Sequence, residues 1–389
     1  MSKKPRQRKQ PPSAKKRIIS FPAQTIRSHE DRHETADTPV LTVIDARAER
    51  RAQLSSSAVR LMPMAALGIA VYTALIIAFV ILERSGLLNT PLGYSAGVEA
   101  YALFSILVFG VIPIVTASIL IVAFRPPADY VLGMSPDATS YISAPFAGFF
   151  IGMFIWCAAQ LIATFNVPFI EYLATPAIWE NGLFYFGKTS LSATIVLLVA
   201  VLLPAVSIEL LARGLIQQAL TAGRSKVLAS VVTSLLFAFS FFDVNGLMIL
   251  FLWGVVSFWV RLRTDSLIAS VLASASFALS MIFSRSIFTA IGQLLFRMPL
   301  IEISKVRVYL LMCGLILIVL MLVPTALINE TGRRIDAEST RFHGTRRGRK
   351  RKRIEGVEKK DVTGAPARYV LWAIALLCLA ALAALTFLM

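Results

Sequence analysis

The stretch PAVSIELLARGLIQQAL, residues 204–220, places a glutamate and an arginine four residues apart inside an apolar run. On one helix, Glu209 and Arg213 share a face, in the glutamate-first order that favours an ion pair. An ionisable side chain inside a bilayer costs about 2.5–3.5 kcal/mol on insertion scales, so such residues usually face the protein interior beside a partner. The pair predicts either a structural contact that holds helices together or part of a functional site, and a functional site needs further polar residues to converge on it.

Histidine, the usual general base and metal ligand, is missing from the apolar part of the chain. The three histidines, His29, His33 and His343, all lie in polar segments. HEDRH, residues 29–33, matches the H-E-x-x-H zinc pattern, but it lies in a basic tail with no apolar face to fix a helix. We interpret it as a solvated charge run, and we expect neither a metal nor a cofactor.

Two other polar groups have a structural interpretation that we favour. Asp243 could form a carboxylate pair with Glu209, but DVNG, residues 243–246, is typical of a helix end in a turn. RRGRKRKR, residues 346–353, is basic enough to contact nucleic acid. Because it lies between two apolar runs, we expect it on anionic lipid headgroups, at about 1 kcal/mol per basic residue, and we do not expect a nucleic-acid partner.

The composition indicates a membrane protein, with 57% hydrophobic residues and a mean hydropathy of +0.71, values outside the range of soluble domains. The net charge of +17 comes almost wholly from two segments. Residues 1–60 carry 14 Lys and Arg against 6 Asp and Glu, and residues 331–368 carry 13 against 5. Such segments bury too little apolar surface to order themselves. The cysteines, Cys157, Cys313 and Cys378, are separated within apolar runs and are predicted to be packing residues.

The fold class predicted from these runs is all-α, a polytopic integral membrane protein with about nine transmembrane helices. The spans are predicted near 61–83, 101–124, 143–165, 189–210, 227–242, 247–260, 266–283, 308–328 and 369–389. The domain boundaries that follow are a disordered basic cytoplasmic tail over 1–60, N-terminal transmembrane helices over 61–188, a core over 189–285, a loop and helix over 286–328, a basic cytoplasmic loop over 329–368 and a last helix over 369–389.

The topology follows from the basic segments, because cytoplasmic loops carry an excess of Lys and Arg. Eight spans separate the two segments, an even number, so both are predicted in the cytoplasm and Met389 outside. The loop from Ser284 to Arg307 disagrees, since it carries four basic residues yet would lie outside. Within it, SIFTAIGQLLF, residues 286–296, is predicted to form an interfacial amphipathic helix.

Three stretches carry a resemblance to a known family. SIELLARGLIQQAL, VLASVVTSLLFAFSFF and LRTDSLIASVLASASFALS resemble the CAAX protease and bacteriocin-processing (CPBP) family of intramembrane proteases, also called Abi or self-immunity proteases. That family carries E-E-x-x-x-R, F-x-x-x-H and H-x-x-x-N, or a close variant, on successive helices. The resemblance covers about residues 190–285 and implies a CPBP-like helical core over 189–285.

The first motif is retained in part. Where the family has its first, water-activating glutamate, this chain has Ile208. Glu209 and Arg213 stand at the second glutamate and the arginine. The resemblance therefore assigns catalytic positions only to Glu209 and Arg213 among the retained residues.

The second and third motifs have lost their polar residues. Phe237 is kept, but Phe241 stands at the histidine position, and Ser274 and Ala278 align with the histidine and asparagine of the third motif. At 1.5 Å per residue, Glu209, Phe241 and Ser274 fall at similar depth. The resemblance thus implies a remnant cavity lined by Glu209, Ser274 and Ser240, with Arg213 nearer the cytoplasm.

Three functions are compatible with these residues. The first, which we favour, is a catalytically inactive family member that binds membrane partners or hydrophobic peptides. The second is an active intramembrane endopeptidase that uses Glu209, as the resemblance alone implies, and the third is a membrane anchor or small transporter. The resemblance also implies a multi-pass protein of the bacterial inner membrane, with anionic lipid headgroups as partners of the basic segments.

Overall fold

The computed structural model describes residues 43–87, 93, 96–133, 138–165, 173–222, 226–296, 307–350 and 365–388. Within those ranges the chain is helical, apart from turns and one isolated bridge between Gly133 and Ser266. The helices are α1 Val43–Arg84, α2 Val98–Phe124, α3 Ala128–Leu132, α4 Ala138–Ala163, α5 Ala177–Phe186, α6 Ser190–Thr221, α7 Lys226–Phe239, α8 Leu247–Thr264, α9 Leu267–Phe296, α10 Arg307–Lys350 and α11 Ala365–Leu388.

The predicted all-α polytopic membrane fold is confirmed. Seven helices in the described ranges, α1, α2, α4, α6, α8, α9 and α10, contain segments long and apolar enough to cross a membrane. The predicted fifth and ninth spans correspond to shorter apolar segments, Lys226–Phe239 and Leu376–Thr386. Every predicted span therefore coincides with a helix.

The structure differs from the predicted elements in three places. SIFTAIGQLLF is the last third of α9, a single helix of 30 residues, and forms no separate interfacial helix. Helix α5 was not predicted, because its ten residues are too few for a span. The predicted disorder of residues 1–60 and the predicted loop over 329–368 also overlap helix, since α1 begins at Val43 and α10 continues to Lys350. Extending an existing helix costs far less than nucleating one, so spans propagate into polar flanks.

Prolines in α2 and α6 each leave one backbone carbonyl without its usual donor inside the helix, so that this carbonyl can accept a hydrogen bond from another helix. Pro204 has no N–H, so the carbonyl of Ala200 lacks its usual donor four residues later. The Trp179 indole of α5 donates to that carbonyl over 3.2 Å. The segments just before Pro204 and just before the proline of α2 are π-helical, Leu197–Leu202 and Ile106–Val111, which is a common consequence of an interrupted hydrogen-bond ladder.

Glycines bring α4 against α9 at close range. A Cβ at Gly148 would lie 2.1 Å from the Ala273 carbonyl oxygen, and one at Gly152 would lie 1.9 Å from Ser280 Oγ. Small residues four apart allow such contact between membrane helices, where packing replaces the hydrophobic effect as the main attraction. This contact fixes α9 and therefore the depth of the serines that α9 presents to α6.

Candidate functional site

Glu209 lies in the middle of α6 and is completely buried. Its Oε1 accepts hydrogen bonds from Ser257 Oγ at 2.7 Å and Ser274 Oγ at 2.6 Å. Its Oε2 accepts one from Ser270 Oγ at 2.6 Å. Ser257 belongs to α8, whereas Ser270 and Ser274 lie one turn apart on α9. The carboxylate thus joins three helices through three hydroxyl donors, and we call these three serines the serine ring.

Arg213 follows Glu209 by four residues and is also completely buried. Its Nε lies 3.7 Å from Glu209 Oε2, and it donates to Ser257 Oγ at 3.3 Å. Its two terminal nitrogens donate to the carbonyls of Thr233 at 3.2 Å and Gly254 at 2.8 Å. Arg213 therefore links α6 to α7 and α8, and the predicted ion pair forms inside the bundle.

The backbone of α6 is not regular at this point. A π-helical segment, Leu210–Ile216, begins directly after Glu209 and contains Arg213. A π-segment inserts one extra residue into the helix, and such segments recur at functional sites. Glu209 and Arg213 therefore lie where the backbone of α6 departs from regular α-helix.

Ser274, at an aligned histidine position, also receives a hydrogen bond. Trp253 Nε1 of α8 donates to Ser274 Oγ at 3.2 Å, and Ser274 in turn donates to Glu209. Ser240, the other serine predicted near Glu209, donates to the carbonyl of Leu236 in its own chain segment at 2.5 Å. The structure brings Ser274 to the carboxylate, whereas Ser240 donates to a backbone carbonyl one turn earlier.

Phe241, which the resemblance aligns with the other histidine, is buried in an aromatic cluster. Its ring centroid lies 4.9 Å from that of Phe109, 5.2 Å from that of Phe237 and 5.9 Å from that of Trp179. Trp179 also contacts Phe277, which stacks on Trp253 at 3.9 Å between centroids. We call this set of rings the aromatic cluster.

Ile208 and Ala278, which the resemblance aligns with the family's first glutamate and its asparagine, are also buried, with exposed fractions of 2% and 4%. Zinc favours imidazole, thiolate or several carboxylates in tetrahedral reach. Across the described ranges, no three His, Cys, Asp or Glu side chains lie close enough to share a metal ion. One carboxylate enclosed by the serine ring does not fit zinc, so no chemical step is assigned to a metal here.

Asp243 contacts backbone amides. Its Oδ1 accepts from the N–H groups of Asn245 and Gly246 at 3.1 Å each, and its Oδ2 accepts from Ala177 N–H, the first residue of α5. The carboxylate therefore closes the turn before α8 and caps α5. This is the turn that DVNG predicted.

Sequence reasoning missed Ser257, Ser270 and Trp253. The sequence does contain a pattern that points to them. Trp253 and Ser257 are four residues apart on one span, and Ser266, Ser270 and Ser274 repeat at the same spacing on the next. A polar stripe at helical spacing in an apolar helix indicates a face turned toward the bundle interior.

The histidines and the basic run that the sequence analysis considered lie mostly outside the described side chains. His29, His33 and Arg351 to Arg353 lie outside the described residues, and of His343 and Arg346 to Lys350 the structure describes only the helical backbone of α10.

Residues 190–280 match the family model described as type II CAAX prenyl endopeptidase Rce1-like. The matched segment begins with α6 and ends in α9, and so contains Glu209, Arg213 and the serine ring. The match confirms the resemblance inferred from the three motif stretches. No curated protein matches the chain, and no solved structure does.

Proposed function

We propose that this CAAX-protease-like membrane protein is catalytically inactive and acts by binding a membrane protein or a hydrophobic peptide. The main support for the proposal is the environment of Glu209. Its two carboxylate oxygens accept hydrogen bonds from three serine hydroxyl groups, and its side chain is completely buried. A general base must lie within hydrogen-bond reach of the water or substrate that it deprotonates. Glu209 is instead committed to holding α6, α8 and α9 together.

The aromatic cluster supports the same conclusion. Phe241 packs against three other rings at the position where the family pattern has a histidine. Ring pairs of this kind stabilise a fold by about 0.5–1.5 kcal/mol beyond their burial. The core has therefore exchanged polar catalytic groups for packing, which preserves the scaffold and its surfaces for binding.

The location and the partners follow from the resemblance and from the charge distribution. We place the protein in a bacterial inner membrane, with residues 1–60 and 329–368 in the cytoplasm. The basic residues of these segments would contact anionic headgroups, which attract Lys and Arg near the cytoplasmic leaflet. The protein partner is expected within the membrane, because the CAAX-protease-like core consists of membrane helices.

An active endopeptidase remains the second candidate, favoured by the preserved Glu209 and Arg213 contact at 3.7 Å. In that case a substrate would have to open the serine ring and replace its hydroxyl groups with water. Glu209 would then act as the general base.

The deciding experiment is a cleavage assay with purified full-length protein in liposomes, using prenylated peptides that end in a CAAX sequence. We expect no product above that of protein-free liposomes, and we expect photo-crosslinking from the matched segment of the unaltered protein to capture a membrane partner. Cleavage that is lost in Glu209→Ala, at equal protein abundance and melting temperature, would establish the enzyme instead.

A further inference from the structure

A cavity of about 850 Å³ lies at the end of the bundle where α4 ends and α10 begins, away from the serine ring. Its wall is formed by α4, α5, α9 and α10 and by the residues just before α5. Buried apolar side chains make the floor, including Trp156 and Phe288, whose rings stack at 5.0 Å between centroids. The size and the apolar floor are those of a small-molecule site.

Two charged side chains of opposite sign line the same cavity. Glu180 of α5 and Arg285 of α9 are both exposed. Neither side chain has a hydrogen bond or an ion pair with any residue that the structure describes, although both face one cavity. An amphipathic ligand with one cationic and one anionic group would complement this pair, in addition to the apolar floor.

The depth of Arg285 indicates where such a ligand comes from. Arg285 lies 18 residues after Leu267, so at 1.5 Å per residue it is roughly 27 Å along α9, close to the thickness of about 30 Å of a hydrocarbon core. The charged rim is therefore at headgroup level, and Met281, one turn earlier on α9, lines the cavity on the hydrocarbon side. Trp156 at this depth is typical of membrane interfaces, where Trp is enriched.

We propose that this cavity binds a zwitterionic aminophospholipid, with Arg285 on its phosphate and Glu180 on its ammonium group. The apolar floor takes the upper part of an acyl chain. Trp179 lines the cavity and contacts Phe277, which stacks on Trp253, so a chain of three rings separates the bound lipid from the serine ring. The site does not depend on whether Glu209 is catalytic.

The test uses full-length protein purified in a maltoside detergent and offered equimolar phosphatidylethanolamine and phosphatidylglycerol with identical acyl chains. Native mass spectrometry measures the two bound lipids. We expect phosphatidylethanolamine to exceed phosphatidylglycerol by about fivefold, as an exposed ion pair with Glu180 would provide. Glu180→Gln should bring the ratio close to one, and Arg285→Gln should lower the retention of both lipids.

The matched controls are Glu99→Gln and Arg84→Gln, which change exposed charges where α1 ends and α2 begins, and they should leave both quantities unchanged. Equal binding of the two lipids by the unaltered protein, or an unchanged ratio in Glu180→Gln, would overturn the proposal and indicate acyl-chain binding alone. Because both cavity side chains are exposed, both variants should fold. If one of these two variants fails to accumulate, the lipid binding of the other variant decides the test.

Discussion

Ser274 Oγ donates to Glu209 Oε1 over 2.6 Å, so a side chain aligned with a lost histidine contacts the glutamate that the chain retains. The packing of α6 against α9 brings together two positions that the resemblance assigns to separate motifs. A serine is shorter than a histidine and is unsuited to act as a general base. The contact therefore stabilises the packing of α6 against α9 and leaves the carboxylate enclosed.

The main effect of Glu209→Gln should be a loss of stability, not a loss of activity. Arg213 would lose the carboxylate 3.7 Å from its Nε, and breaking a buried ion pair costs about 3–5 kcal/mol. We expect a lower melting temperature and a lower yield in the membrane, measured by thermal unfolding in detergent. The exposed Glu99→Gln should show neither effect. A Glu209→Gln protein of normal abundance and stability that had lost a measurable cleavage would contradict this structural role.

Glu209 and Arg213 should be energetically coupled. With Arg213→Met alone, the carboxylate keeps the serine ring but loses the cation one turn away, and the double variant removes both charges. We expect the double variant to be more stable than the sum of the two single changes predicts, with a coupling of about 0.5–3 kcal/mol. The cycle is measured by thermal unfolding of the four proteins, and strict additivity would show that the pair contributes nothing as a pair.

Phe241→His should destabilise the core. The imidazole would replace a ring packed against Phe109, Phe237 and Trp179, and a buried polar group without a partner costs about 1–3 kcal/mol. The melting temperature should fall, whereas Phe184→His, at a side chain that is 61% exposed, should change it little. A variant that instead gained stability on addition of zinc would reveal a latent metal site.

Zinc should be substoichiometric in the unmodified protein. Purified without a histidine tag, it should contain well under one equivalent by elemental analysis, and chelators should leave its melting temperature unchanged, because the serine ring offers no imidazole or thiolate. His29→Ala with His33→Ala serves as the control for weak binding in the tail. A stoichiometric metal in that double variant would show that the core binds it.

The topology can be checked by cysteine labelling from outside. In a variant without the three native cysteines, single cysteines near Lys9, near Lys350 and after Met389 should label only at the C-terminal position. This result follows from two cytoplasmic basic segments and the positive-inside rule. Labelling near Lys350 from outside would require a different number of crossings between the segments.

The sequence alone was enough for the membrane class, the positions of the spans, the Glu209 and Arg213 pair and the absence of histidine from the apolar runs. Each of these depends on local properties. The hydropathy of about 20 consecutive residues decides insertion, and a spacing of four residues decides which side chains share a helix face. The presence or absence of histidine in an apolar run is read directly from the residues.

Tertiary structure decided what surrounds Glu209. Ser257, Ser270 and Ser274 follow it by 48, 61 and 65 residues, and they meet it only because α8 and α9 are turned to present those faces to α6. The rotation of a helix about its axis is weakly encoded when the helix is apolar all round, so hydropathy could not place the serine ring or the rings around Phe241. The cavity with Glu180 and Arg285 also depends on tertiary packing. Its wall combines segments that are distant in sequence, and their contacts depend on how closely the glycines of α4 allow α9 to pack.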